Sequence, residues 1–417
     1  MKDKRRDFNA ECAGRALIIG GSLSGLFAAL LLRHRGWNVD IYERVESELA
    51  GRGAGIVTHR PLWDALDEIG IEWRDNLGVE VSTRRMFGLD GTLLLEFECP
   101  QTMTAWDRMY DLLRSVFPSK HYQRGKELIR IEQSADAVSA IFADGTRASG
   151  DVLIGCDGLR STVRALVLPD VHPIYAGYVA WRGLVPESAL TPELHDQLFM
   201  HLAFCLPRGE QMLGYPVAGS HNNLRSGHRR YNLVWYRPAD ERTALQRLLT
   251  DDRGLTHQIS IPPPAVSRAV IDEMREAAER VLAPQFRDCW RIADQPFLQA
   301  IYDVQSPRLA FKRVTIIGDA SYVARPHCGA GVTKAADDAM MLVKALSTKP
   351  SIEEALHYYE AMRVPFGCRV VAHARRLGSY LQAQLKTAEE RQAAELHFSP
   401  EAVLRETATL DFLTETS

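Results

Sequence analysis

Residues 15–43, RALIIGGSLSGLFAALLLRHRGWNVDIYER, restrict the possible folds more than any other stretch of this chain. The apolar run at 16–19 shows no alternation, so it reads as a strand buried on both faces. It runs into Gly20-Gly21-Ser22-Leu23-Ser24-Gly25, and residues 26–35 then read as a helix that is apolar nearly all round and stops at Gly36. A second strand over 39–42 ends at Glu43. Strand, glycine turn, helix and strand make a βαβ unit, and each part has a physical task. Gly20 permits the tight turn, Gly25 lets helix and strand approach closely, and the helix N-terminus offers free N–H groups to a pyrophosphate. Glu43 lies about 20 residues past the turn, where an acid accepts from ribose hydroxyls. Ser22 stands where a second glycine would normally let backbone approach phosphate; serine is small and adds a donor, so the turn should tolerate it. A plain glycine-rich turn is the alternative, but the combination favours a dinucleotide site. The acid favours a free 2′-hydroxyl, hence FAD or NAD rather than NADP.

The remainder of the chain is long enough for a second compact unit, since 417 residues exceed what one core usually serves. A net charge of −3 gives no reason to expect nucleic acid as a partner. Arg33 and His34 interrupt the longest apolar run, so no membrane span is expected. MKDKRRDFNAECAG lacks the apolar core of a secretory signal and reads as a frayed extension. Seven scattered cysteines match neither a metal-ligand spacing nor a disulfide framework, so no metal site is expected and a cytoplasmic location is.

Further along, Gly51-Arg52-Gly53-Ala54-Gly55-Ile56 is a second glycine cluster, suited to close approach of a flat ligand or simply a loop, followed by His59 and a helix over 62–69. Strand material at 84–98 turns at Leu89-Asp90-Gly91-Thr92, and a second hairpin turns at Ala143-Asp144-Gly145-Thr146. Between them, 106–117 has helical spacing, with Arg108 near its start. Segments 178–185, 198–205, 211–217 and 231–236 read as antiparallel strands, and 239–249 and 265–282 as helices. Buried strand 314–317 ends in Gly318-Asp319, and Pro326-His327-Cys328-Gly329-Ala330-Gly331 leads into a helix over 332–346. The tail from 352 reads as helical, with 407–417 disordered.

Three motifs thus stand in one order: GGSLSG with Glu43, then GCDGLRSTVR at 155–164, then GDASYVARPHCGAGVTKAADDA at 318–339. Together they resemble the single-component FAD-dependent aromatic hydroxylases of the p-hydroxybenzoate hydroxylase fold, over roughly residues 15–375. GGSLSGL, YAGYVAWRG and RPHCGAG resemble most the hydroxylases of dihydroxypyridines within that group. The resemblance implies an α/β fold: a three-layer Rossmann-like FAD domain (1–80, 101–175 and 286–350), an antiparallel-sheet substrate domain (81–100 and 176–285) and a helical C-terminal segment (351–417). It implies non-covalent FAD held by Gly20, Ser22, Leu23, Ser24, Gly25, Glu43 and Arg44, by Arg108 at the pyrophosphate, by Asp157, by Asp319 at the ribityl chain, and by Pro326, Gly329, Ala330, Gly331 and Val332 beside the isoalloxazine ring.

NADH or NADPH would bind transiently, because only one dinucleotide fold is apparent. The reaction implied is hydroxylation of an electron-rich aromatic or N-heteroaromatic ring by O₂ through a C4a-hydroperoxyflavin. A salicylate-, phenol- or urate-type hydroxylase is the alternative, and a non-oxygenating FAD-dependent reductase a further one. A homodimer is the assembly the resemblance leaves open. Tyr215, next to Pro216 on a strand, His327 in the glycine loop and His59 are the side chains expected to meet the ring, against ordinary core or loop roles for each.

Overall fold

A computed structural model of the chain describes residues 13–49, 55–385 and 387–413. The N-terminal extension and four residues of the second glycine cluster, 51–54, therefore lie outside the described residues.

Among the described residues, three sheets organise the fold. The first has six strands in the order Ala310–Phe311, Val314–Ile316, Val152–Gly155, Arg15–Ile19, Asn38–Glu43 and Tyr122–Arg124. All its pairings are parallel except the first. Its central strand is buried from Ala16 to Ile19, which is why it lacks alternation. The helix after the glycine turn spans Leu23–His34, three residues earlier than sequence alone suggests. Ser22 is its N-cap in extended conformation, so the first turn begins inside the glycine motif.

The second sheet has nine strands, running Tyr322–Val323, Phe297–Gln305, Ile174–Pro186, Arg230–Pro238, Gln211–Val217, His201–Cys205, Val79–Phe87, Leu93–Ala105 and Gly55–Val57. It is antiparallel except where His201–Cys205 meets Val79–Phe87. Both expected hairpins form, with Gly91 and Gly145 at positive φ in their turns. Strand Phe297–Gln305 belongs to this sheet, so the antiparallel unit extends past residue 285 and reaches the segment assigned to the FAD domain. A bulge between Val81 and Thr83 changes which face the following residues present. Val79 and Val81 point inward before it, and Arg84 and Met86 after it.

Helix Gly331–Thr348 packs against the glycine-turn helix, and the long helix Ile352–Leu377 packs against Gly331–Thr348 in turn. The C-terminal segment is not disordered over 407–413: helices Ala388–His397 and Pro400–Glu406 lead into a packed turn at Asp411–Leu413. Val403, Leu404 and Ala408 are buried with Tyr215, Leu202 and Leu213 of the nine-stranded sheet. Sequence pattern missed this because the segment is too short and too polar to announce a buried face.

Candidate active site

The C-terminal ends of the parallel strands bring Gly20, Glu43, Asp157 and Asp319 to one edge of the six-stranded sheet. Ligands bind at that edge of open α/β sheets. A cavity of about 310 Å³ opens there, lined by Gly20, Ser22, Glu43, Arg44, Asp157 and Thr162, and also by Trp106 and Lys126.

The glycine turn is built by contact rather than by composition. Gly20 has φ +103°, and a Cβ there would lie 2.5 Å from the Cys156 carbonyl oxygen. A Cβ at Gly25 would lie 2.0 Å from the carbonyl oxygen of Gly20. Ser22 takes φ −81°, a value open to any residue, which explains why the motif accepts serine there. Glu43 is buried at the cavity wall; its two carboxylate oxygens accept from the backbone N–H groups of Gly21 at 2.8 Å and Val45 at 2.9 Å. Each oxygen keeps lone-pair capacity for a sugar hydroxyl. The other side chains of the motif turn elsewhere: Leu23 into the core, and Ser24 against Gly318.

Asp157 caps helix Thr162–Val167, accepting from the N–H groups of Thr162 at 2.7 Å and Val163 at 3.1 Å and from the Ser161 hydroxyl at 2.5 Å. Burial raises its carboxyl above the usual range despite these donors. Arg164, read only as part of the motif, donates to the carbonyls of Leu159 and Ala320, so the second motif is tied to the third. Arg108 is not among the residues lining the cavity and donates to Asn76 through Nε and a terminal nitrogen.

Asp319 keeps 51% of its side-chain surface exposed, while Lys334, only 2% exposed, holds one of its oxygens at 2.7 Å. Lys334 and Asp338 went unassigned in the sequence; Asp338 is fully buried and accepts from the Gly318 N–H, the Tyr322 hydroxyl and Arg363. An acid–base pair spanning a strand end and the first turn of the next helix is the signal that could have found Lys334. Gly331 begins its helix, one residue earlier than expected, and a Cβ there would meet nothing within 4 Å. That helix N-terminus therefore faces open space, as an anion-stabilising terminus requires. The cavity, the acids at the strand ends and this terminus fit a flavin dinucleotide.

The three side chains expected at the ring are not equivalent. Tyr215 is buried, its ring so close to Gly55 that a Cβ there would lie 2.4 Å away. Burial pushes its phenol up to about 12, against the pull of the nearby Arg182 guanidinium. His327 is 2% exposed, bonded through Nε2 to the Tyr178 hydroxyl at 2.7 Å and packed on Tyr236. Burial, aided by Arg325, pushes its imidazole down to about 3, so it is neutral. His59 caps helix Arg60–Ile69 by position and bonds through Nδ1 to the Thr333 hydroxyl and through Nε2 to the Ala408 carbonyl, both at 3.2 Å.

A family model described as FAD binding domain-like matches residues 175–303, which span the middle strands of the nine-stranded sheet. The chain is 31% identical to 2,6-dihydroxypyridine 3-monooxygenase of Paenarthrobacter nicotinovorans, across 88% of this chain and 91% of that one. It is 30% identical to 3-amino-4-hydroxybenzoate 2-monooxygenase of Streptomyces cremeus, across 87% and 86%. The solved structure of 2,6-dihydroxypyridine-3-hydroxylase from Arthrobacter nicotinovorans matches with a TM-score of 0.84 at 30% identity, covering 91% of this chain and 96% of that one.

Proposed function

The chain belongs to the FAD-dependent monooxygenases of the aromatic hydroxylase type, and on that footing we propose that it hydroxylates a small electron-rich ring, a hydroxylated pyridine first of all. The observation that carries the substrate class is the match, in sequence and backbone over nearly the whole chain, to a hydroxylase named for a dihydroxypyridine. When bound, FAD supplies the chemistry: it takes two electrons from NADH or NADPH and activates O₂ for transfer of one oxygen atom to the ring.

The chain's own residues do the rest. Gly20, Ser22 and Glu43 hold the adenosine diphosphate half, and Asp319 with the loop 326–332 takes the ribityl chain and ring. Tyr215 faces the substrate as a neutral phenol, because its hydroxyl loses its proton only far above neutral pH. It therefore donates to a ring oxygen rather than removing its proton. Arg182, 9% exposed, lowers the cost of negative charge beside Tyr215 and Tyr236, which favours a deprotonated, electron-rich ring. His327 serves as a positioning residue that fixes the glycine loop through Tyr178. The apolar face of the sheet excludes water from the ring.

The test is a screen of FAD-loaded protein with hydroxypyridines, phenols, salicylate and urate. A hydroxypyridine should stimulate NAD(P)H oxidation and yield a product carrying one atom from labelled O₂. Stimulation only by urate or salicylate would replace the substrate class. Reduction of a ring without label in the product would favour the reductase reading.

A further inference from the structure

Arg84 and Gln101 on two strands of the nine-stranded sheet, His59 and the glycine loop all close on one residue of the C-terminal segment. The Ala408 carbonyl accepts from Gln101 Nε2 at 2.9 Å, from His59 Nε2 at 3.2 Å and from an Arg84 terminal nitrogen at 3.5 Å. The acceptor fixes the His59 tautomer: a carbonyl cannot donate, so Nε2 carries the hydrogen and Nδ1 accepts from Thr333. Arg84, fully buried, also donates to the Leu404 and Thr407 carbonyls at 2.5 and 2.7 Å. The Ala408 N–H donates to the His327 carbonyl at 2.7 Å, and a Cβ on Gly329 would lie 2.9 Å from the Ala408 Cβ.

Two features mark this seat as more than tail packing. Gln101 and His59 donate to this carbonyl from separate elements, and the Arg84 terminal nitrogen, which donates to Gln101 Oε1 at 2.7 Å, lies 3.5 Å from the same oxygen, a set of donors and charge matched to an oxygen bearing negative charge. Ala408 itself sits at φ +57°, a left-handed conformation that a residue with a Cβ adopts only when its surroundings impose it. The Ala408 backbone thus occupies the space between Gln101, His59, Arg84 and the His327 carbonyl, and no ring fits there while it does.

We propose that residues 399–413 form an internal strap that seats the Ala408 carbonyl where a substrate ring oxygen binds, so that Arg84, Gln101 and His59 are the ring-oxygen subsite and the ring enters only as the strap leaves. This rests on the aromatic-ring reading above. The strap is held at its far end by Phe412, stacked on His373 at 3.9 Å between ring centres. Leu410 and Leu413 pack beside it against Cys328, Ala330, Val370 and Ala374, and release of this small apolar patch would let the strap peel from its C-terminal side.

Full-length FAD-loaded protein is titrated with 2,6-dihydroxypyridine, following the flavin spectrum, while hydrogen–deuterium exchange reports on residues 399–413. Ala408→Pro cannot take the left-handed conformation and loses the N–H given to His327; Phe412→Ala removes the outer stack and leaves the sheet untouched should the proline variant fold poorly. Both should bind the probe about fivefold or more tighter than wild type, and exchange over 399–413 should rise in wild type on saturation. Gln101→Leu placed in the Phe412→Ala background should weaken the probe again by about fivefold. Equal affinity across the variants, or unchanged protection of 399–413 in saturated wild type, overturns the strap and leaves the proposed substrate class intact. Absence of probe binding in wild type and every variant overturns both.

Discussion

Glu43 and Asp319 both end parallel strands, yet they are held by opposite means. Among the described residues Glu43 accepts from backbone, at Gly21 and Val45, whereas Asp319 is half exposed and bound to a buried lysine. Glu43→Ala should weaken FAD by roughly 1.5–3 kcal/mol, since it removes charged acceptors and loosens the turn. Asp319→Ala should lose a similar amount and also strand Lys334, so Asp319→Asn should recover part of the loss. Titration of apoprotein with FAD measures both, and unchanged affinity in both would move the cofactor elsewhere. Tyr215→Phe should keep FAD and fold but uncouple the reaction, with hydrogen peroxide replacing product; full coupling in that variant would remove Tyr215 from the ring site. His327→Ala belongs to another class, because it empties a buried position that holds Tyr178.

Among the elements, the glycine-turn helix depends on a contact that cannot relax. A methyl at Gly25 would meet the Gly20 carbonyl oxygen, backbone against backbone, whereas a methyl at Gly36 meets nothing and costs only the positive φ of +84°. Gly25→Ala should therefore displace the turn and deplete bound flavin, read as the ratio of flavin to protein absorbance. Gly36→Ala should leave that ratio unchanged and lower stability by about 1 kcal/mol. Flavin retained at wild-type level in Gly25→Ala would mean the turn has slack that its packing denies. The same logic reads the strand Val79–Phe87, where strict alternation would send Arg84 outward and the bulge after Val81 turns it into the core.

At the scale of the whole molecule, buried polar groups join the sheet to the C-terminal helices. Asp303, on a strand of the nine-stranded sheet, is shared by Arg325 of the glycine loop and Arg375 of the long helix, and Arg325 also reaches Gln382. His327 and His373 lie at this junction, their imidazoles pushed down by burial to about 3 and about 4. An unfolded imidazole titrates near 6.5, so between that value and the folded one the unfolded chain binds more protons. Stability from these groups is complete above pH 6.5 and is lost as pH falls, at up to about 1.4 kcal/mol per pH unit for each. Melting temperature should drop from pH 6.5 toward pH 4, and less steeply in His373→Asn. Parallel slopes for the two proteins would show that His373 titrates normally.

The motifs legible in the chain are those whose chemistry is local. A turn at positive φ needs glycine at Gly20, a buried parallel strand needs an unbroken apolar run, and a hairpin needs Asp-Gly at its corner; each is encoded within a few residues. The order of three such motifs was enough to indicate an FAD-dependent monooxygenase. What needed the tertiary structure is every partnership across the chain. Lys334 under Asp319, Arg84 turned inward by a bulge, and Ala408 seated against Gly329 join residues from 15 to more than 300 positions apart. Side-chain periodicity carries no record of such pairings, because packing between elements, not the period within one, decides which polar groups meet.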